Sequence, residues 1–222
     1  VSIVTPASPP RDPLTGHTGG MADPIKRLDA AVARLAAETT GRQRTGTTHG
    51  DCDDVVGTVA TDDAIGFDPR PLLRALDEAG AVVVVMGQIA GILHGSTELT
   101  GDLDLLWDGR AEQRAALAMA FAAVDASLVD DDDKPVACDE AAFALAKVQF
   151  ATDCASGDCC TPALPWGELD VATFAQRARV VTTPEGWCVR YLRRNDLITM
   201  RRAVGRPKDL RRAAEMEALP PA

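Results

Sequence analysis

Asp102-Leu103-Asp104 is the string whose residue types and spacing point most directly to chemistry. It opens the stretch Asp102–Trp107, which alternates acid and apolar residues and then turns wholly apolar, a strand pattern. Residues two apart on a strand share a face, so the two carboxylates stand side by side near its start. Like charges that close repel and raise one another's pKa unless a cation lies between them. Mg²⁺ suits such a place, because it takes one or two carboxylates and leaves its other positions to water and phosphate. Just upstream, Val85-Met86-Gly87-Gln88 leads from an apolar strand through a glycine into a short helix. A glycine lets a polyphosphate approach the backbone, and helix N–H groups point at phosphate oxygens.

The elements that would position these groups follow from periodicity and punctuation. Asp68-Pro69 starts a helix through Leu72, Leu73 and Leu76 that Gly80 stops. Ala81–Met86, apolar on both faces, reads as a buried strand, and Gln88–Leu93 as a helix stopped by Gly95. Ala111–Val124 is an Ala-rich helix. A second, smaller sheet is then expected, with one hairpin of Lys147–Thr152 and Asp158–Ala163 turning at Ser156-Gly157. Asp170–Arg177 reads as a helix, and Val180–Thr182 with Trp187–Arg190 as a hairpin across Pro184-Glu185-Gly186. Asn195 or Asp196 caps a helix to Ala203, Gly205 breaks it, and Pro207 opens a last helix to about Leu219. The order predicts an α/β (α+β) fold: a small mixed sheet flanked by helices, with a C-terminal helical segment.

Residues 1–66 read as a disordered or linker segment with one helix near 23–39, capped by Asp23 and started by Pro24; the folded domain is expected over 67–222. Residues Val1–Pro10 lack a basic region and carry three prolines, so they do not read as a secretory signal. The six cysteines form no C-x-x-C pair, and reduced thiols in a cytoplasmic protein are expected. No apolar run is long enough to span a membrane. The net charge of −10 argues at first against a nucleic-acid partner. Resolved along the chain it does not: residues 177–212 hold 11 basic and 3 acidic residues. Polyphosphate or RNA are natural counterparts of that stretch.

The segment Gly87-Gln88, thirteen residues, then Asp102-Leu103-Asp104 resembles the signature of the nucleotidyltransferase superfamily. His94-Gly95 and Thr100 before the Asp pair resemble, more narrowly, the minimal nucleotidyltransferases seen as toxins in prokaryotic toxin–antitoxin systems (the AbiEii-like group). About 90 residues on, Asp196–Leu210 with its Arg206-Pro207-Lys208-Asp209-Leu210 turn is similar to that group's closing helix pair. Here Gln88 stands second, where relatives usually carry Gly or Ser. Glu98 stands where an Arg is common, and Arg201 where Lys is common.

The resemblance implies a nucleotidyltransferase fold and a Mg²⁺-dependent reaction, with Mn²⁺ as a substitute. Asp102 and Asp104 would hold the metal and a nucleoside triphosphate (NTP), an acceptor hydroxyl would attack the α-phosphorus, and pyrophosphate would leave. It also implies nucleotide binding by Gly87, Gln88, Ser96, Arg201, Arg206, Lys208 and Asp209, with Asp209 orienting one of the basic groups or a metal-bound water. A third catalytic carboxylate is expected on a later strand. Asp158 lies two residues from the expected place at Cys160, on the same strand face; Asp170 reads instead as a helix cap. The implied role is the toxin of a toxin–antitoxin pair, with a cognate antitoxin and a tRNA 3′ end or a protein hydroxyl as acceptor. The alternatives are an antibiotic-type small-molecule nucleotidyltransferase and a catalytically impaired binding module. His94 and the three tryptophans, Trp107, Trp166 and Trp187, read as packing residues.

Overall fold

The computed structural model describes residues 23–48 and 58–220. The disorder expected over residues 1–20 lies outside these, as do His17, His49 and Cys52. Among the described residues the chain is a mixed α/β structure with seven α-helices and one eight-stranded sheet.

The strands are β1 (Val83–Val85), β2 (Leu105–Trp107), β3 (Ser127–Val129), β4 (Pro135–Val136), β5 (Lys147–Ala151), β6 (Ser156–Cys160), β7 (Arg179–Thr182) and β8 (Cys188–Tyr191). Their order is β4-β3-β5-β6-β2-β1-β8-β7. Among the described residues the second sheet expected from the sequence is therefore absent: both hairpins extend the first one. β6 joins β2 in parallel and β8 joins β1 in parallel, while the other neighbours are antiparallel. Both central strands are apolar throughout and buried on both faces, so they need partners on each side.

The β5–β6 turn also differs from expectation. Ser156 pairs with Ala151 inside the ladder. The chain reverses at 152–155, where the Thr152 hydroxyl oxygen accepts the Ala155 N–H at 2.9 Å. Gly157 serves another purpose. A Cβ there would lie 2.0 Å from the Leu103 carbonyl oxygen, so glycine permits the Asp102–Asp104 segment to run against β6.

The helices are α1 (Pro24–Thr39), α2 (Arg70–Glu78), α3 (Gly87–His94), α4 (Arg114–Ala122), α5 (Val171–Gln176), α6 (Arg194–Val204) and α7 (Pro207–Ala218). Asp23 caps α1 by accepting the Ile25 N–H at 2.9 Å. Asn195 and Asp196 lie inside the first turn of α6 rather than capping it, and Asp196 accepts from Arg177 Nε at 2.9 Å. No described helix is long and apolar enough to cross a membrane.

Of the N-terminal segment expected to stand apart, the described residues 23–48 and 58–66 pack on the rest of the chain. Ile25, Leu28, Val32 and Leu35 of α1 are buried in the common core, against α3. The 3-10 turns Thr58–Ala60 and Asp62–Ala64 pack beside the Asp pair. Thr58 Oγ1 accepts the Gly101 N–H at 2.8 Å and lies 2.7 Å from Thr100 Oγ1. Thr and Asp in this stretch serve tertiary hydrogen bonds, which is why its composition resembles a linker.

Because α1 is a core element, Leu28→Ala is expected to lower stability to urea by about 2–4 kcal/mol. The exposed Lys26→Ala should change it by under about 0.5 kcal/mol. Equal midpoints for both variants would mean that α1 is a loose appendage.

Candidate active site

Strand register brings the three candidate acids together. Val85 of β1 faces Leu105 of β2, and Leu105 faces Cys159 of β6. One residue before that second pair, Asp104 and Asp158 stand beside one another, with Asp102 two residues further back on the same face. All three line a single pocket of about 330 Å³. α3 starts at Gly87, directly after β1, and Gly87 has φ +58°. A Cβ there would fall 1.7 Å from Asp104 Oδ2. The Asp104 carboxylate thus occupies the space a side chain would take.

Proximity and burial set the protonation of this cluster. Asp102 is pushed well above the usual carboxylate range by burial, then by Asp104 and Asp158. Asp104 is pushed up to about 6 by burial and by Asp158, against the opposing pull of Arg212, Arg206 and Arg201. Lys147 Nζ lies 3.4 Å from Asp158 Oδ2 and 3.5 Å from Asp131 Oδ1, so it joins the third acid to the acidic loop 130–133. A second cavity of about 350 Å³ shares Asp102, Asp158 and Lys147.

The facing wall comes from α6, α7 and the corner between them. Arg206, Lys208, Asp209 and Arg212 line the pocket there. Arg206 Nε donates to Asp209 Oδ2 at 2.7 Å. Lys208 is buried, and desolvation, then Arg212, pulls its pKa down to about 8. The corner is tied to α3 by a buried network. Arg201 donates to Gln88 Oε1 at 2.7 Å, to the Gly87 carbonyl at 3.2 Å and to the Arg212 carbonyl at 3.1 Å. Burial, then Arg212, lowers the Arg201 pKa to about 10, which leaves it charged at neutral pH. Arg212 Nε donates to Glu98 Oε1 at 2.9 Å. Glu98 is therefore the counterion of this corner.

Of the residues singled out from the sequence, Asp102, Asp104, Asp158, Gly87, Gln88, Arg201, Arg206, Lys208 and Asp209 border the pocket. Ser96 does not. Its hydroxyl accepts from Gln88 Nε2 at 2.9 Å and donates to Glu215 Oε2 at 2.8 Å. The expected phosphate contact is thus replaced by a strut from α3 to α7. Gln88 and Arg201 reach the pocket wall with side chains engaged in the same strut. Asp170 caps α5, accepting the Thr173 N–H at 3.0 Å. His94 is buried, with its Nε2–H on the Leu192 carbonyl at 2.8 Å, and desolvation lowers its pKa to about 4. Burial pushes the Cys159 and Cys160 thiols up, which keeps them protonated.

Lys147, Thr58, Trp166 and Arg212 also line the pocket and were not singled out as site residues. Arg212 was visible as part of the basic C-terminal stretch. Lys147 faces Cys160 across the β5–β6 ladder, so the correct hairpin register would have revealed it. Thr58 carries no signal of its own.

Among the described residues no three His, Cys, Asp or Glu side chains form a ready-made metal cage. The donors that converge are carboxylate oxygens on one wall, facing cations on the other. That set matches an ion that keeps several waters and shares a phosphate ligand, and does not match a thiolate or imidazole site.

A carboxylate whose pKa is raised by folding takes up a proton as the chain folds, so its contribution favours low pH. For Asp104 this stabilisation is present near pH 4 and is lost as pH rises through about 6. His94, held neutral with its pKa lowered to about 4, favours high pH over the same range, so the Asp104 contribution is read from the difference between wild type and variant. In the metal-free protein Asp104→Asn should raise Tm at pH 7.5 by a few degrees, about 1–2 kcal/mol, and by less at pH 5. An equal shift at both pH values would show that the Asp104 charge is not responsible. Neither a scan against protein-family models nor a search of curated proteins finds a match for this chain, so the function of the pocket is argued from its own residues.

Proposed function

We propose that this chain is a Mg²⁺-dependent nucleotidyltransferase that moves a nucleoside monophosphate from an NTP to an acceptor hydroxyl. The observation that carries the reading is the juxtaposition of Asp158 with Asp102 and Asp104, opposite Arg206, Lys208 and Arg212 across one pocket. Asp102 and Asp104 would hold Mg²⁺ or Mn²⁺, which supplies neutralising charge to the triphosphate when bound. Arg206 and Lys208 attract the triphosphate and favour release of pyrophosphate. Gly87, lacking a Cβ, leaves room for Asp104 at the start of α3. Asp158 would orient the acceptor hydroxyl and take its proton, with Lys147 beside the carboxylate at 3.4 Å. The acceptor oxygen bonds to the α-phosphorus as the bridge to the β-phosphate breaks. The protein's part is positioning and electrostatics.

We read the biological role as the toxin of a toxin–antitoxin pair, on the motif resemblance, with a cognate antitoxin as partner. A polyanionic acceptor such as a tRNA 3′ end is favoured over an antibiotic by a basic cavity of about 480 Å³ along the first turn of α6. Arg177, Arg179 and Arg193 are exposed there, and Asp196 is the acidic residue among its lining. The free thiols Cys138, Cys154, Cys159, Cys160 and Cys188 accord with the cytoplasm.

Incubation with each α-labelled NTP, Mg²⁺ and total tRNA should transfer label to RNA and release pyrophosphate. Asp102→Ala, Asp158→Asn and Gly87→Ala should each lower the rate by about 10²-fold or more. Pyrophosphate release with neither tRNA, protein extract nor aminoglycosides would leave a binding module as the better description.

A further inference from the structure

The pocket lining holds apolar as well as charged side chains. The charged ones have been described. The apolar ones include Leu197, Met200 and Val204, Leu164 and Trp166. Leu197, Met200 and Val204 are three and four residues apart on α6, so they form one apolar stripe along the helix. Leu164 and Trp166 come from the connection between β6 and α5, on the chain segment that follows Asp158 and Cys160. Trp166 is the sole aromatic residue in the lining, and it is half-buried.

Its indole orientation is fixed. Trp166 Nε1–H donates to the Thr161 carbonyl at 2.9 Å, and its body packs against the core. With the N–H engaged, the ring has its π face to offer a ligand rather than a hydrogen bond. The four apolar neighbours carry no side-chain hydrogen-bonding group except the weakly accepting Met200 sulfur. A cavity whose lining combines cations and carboxylates with a tethered indole and aliphatic groups matches a molecule with a polyanionic tail and a flat, apolar-faced head.

We infer that Trp166 is the base-stacking residue of this pocket: the nucleobase lies on its ring against the stripe Leu197, Met200 and Val204. The inference rests on the nucleotide reading of the charged residues and adds how the base end of the substrate is held. Stacking recognises the face of a base and not its edge, so discrimination among bases is weak and follows ring size. Purine nucleotides therefore bind better than pyrimidine nucleotides, by a modest factor, and no single base is selected strictly.

The test compares ATP, CTP and inorganic tripolyphosphate, each with Mg²⁺, by calorimetry and tryptophan fluorescence. The chain has three tryptophans. Trp107 is a buried residue of β2 outside the pocket lining, and Trp187 lies on the β7–β8 hairpin turn, also outside it. ATP should quench the wild-type emission, tripolyphosphate should not, and the quench should vanish in Trp166→Phe. Trp166→Leu, which keeps apolar bulk and loses the ring, should weaken ATP roughly ten- to a hundredfold. It should leave tripolyphosphate affinity unchanged. Trp166→Phe should retain ATP affinity to within a few fold. Equal losses for ATP and tripolyphosphate in Trp166→Leu, or an ATP affinity indifferent to the substitution, would overturn the inference and leave the nucleotide reading standing. Absence of binding by both ligands in the wild type would instead overturn the nucleotide reading, and the inference with it.

Discussion

The contact between the Asp104 carboxylate and the backbone at Gly87 is the constraint on which the rest of the pocket depends. The oxygen sits 1.7 Å from the position a Cβ would take, so the start of α3 and the acid just before β2 share one small volume. That closeness follows from the antiparallel pairing of β1 with β2, reinforced where the Met86 N–H donates to the Asp104 carbonyl at 2.9 Å. Gly157 sets the equivalent spacing on the other side, letting the segment before β2 lie against β6. Two glycines without side chains thus draw three carboxylates into one concavity.

Concentrated negative charge must be held by something. Part of the answer is proton uptake at Asp102 and Asp104. The rest is the corner between α6 and α7, whose Arg201, Lys208 and Arg212 are buried basic residues. Burial of so many cations is costly unless each is hydrogen-bonded. Arg201 meets that requirement with three acceptors and Arg212 with Glu98. The strut Arg201–Gln88–Ser96–Glu215 then fixes the basic wall to the same helix that begins at Gly87. One network holds both walls of the pocket, so a change at Gln88 or Ser96 acts on the site from behind it.

Much of this was legible in the residues. The strand, glycine, helix and Asp-x-Asp order is a local pattern, and Gly80, Gly95 and Gly205 end helices where expected. Asp170 was recognisable as a cap because its side chain answers a local need. Non-local pairing was not legible. The two hairpins join one sheet through parallel contacts of β6 with β2 and β8 with β1, and nothing in their own sequences states which strand they will meet. The β5–β6 register slipped for a related reason: Ser156-Gly157 has turn chemistry, but the glycine answers Leu103 and not a reversal. Residues 40–48 and 58–66 looked like linker because their Thr and Asp side chains bond across the fold. The Asp62 carboxylate takes the Thr45 and Gly46 N–H groups at 2.9 and 2.7 Å. Ser96 was misplaced because a small hydroxyl after a helix serves a strut as readily as a phosphate.

The central proposal is that Asp102 and Asp104 together hold a divalent cation and a triphosphate. Mn²⁺ binding followed by electron paramagnetic resonance, with and without a non-hydrolysable NTP analogue, addresses it directly. The account predicts weak Mn²⁺ binding to the protein alone, tightened strongly by the analogue. It also predicts loss of that tightening in Asp102→Asn and Asp104→Asn, at a pH above about 6 where Asp104 is ionised. Mn²⁺ binding that is indifferent to both substitutions and to the analogue would contradict it.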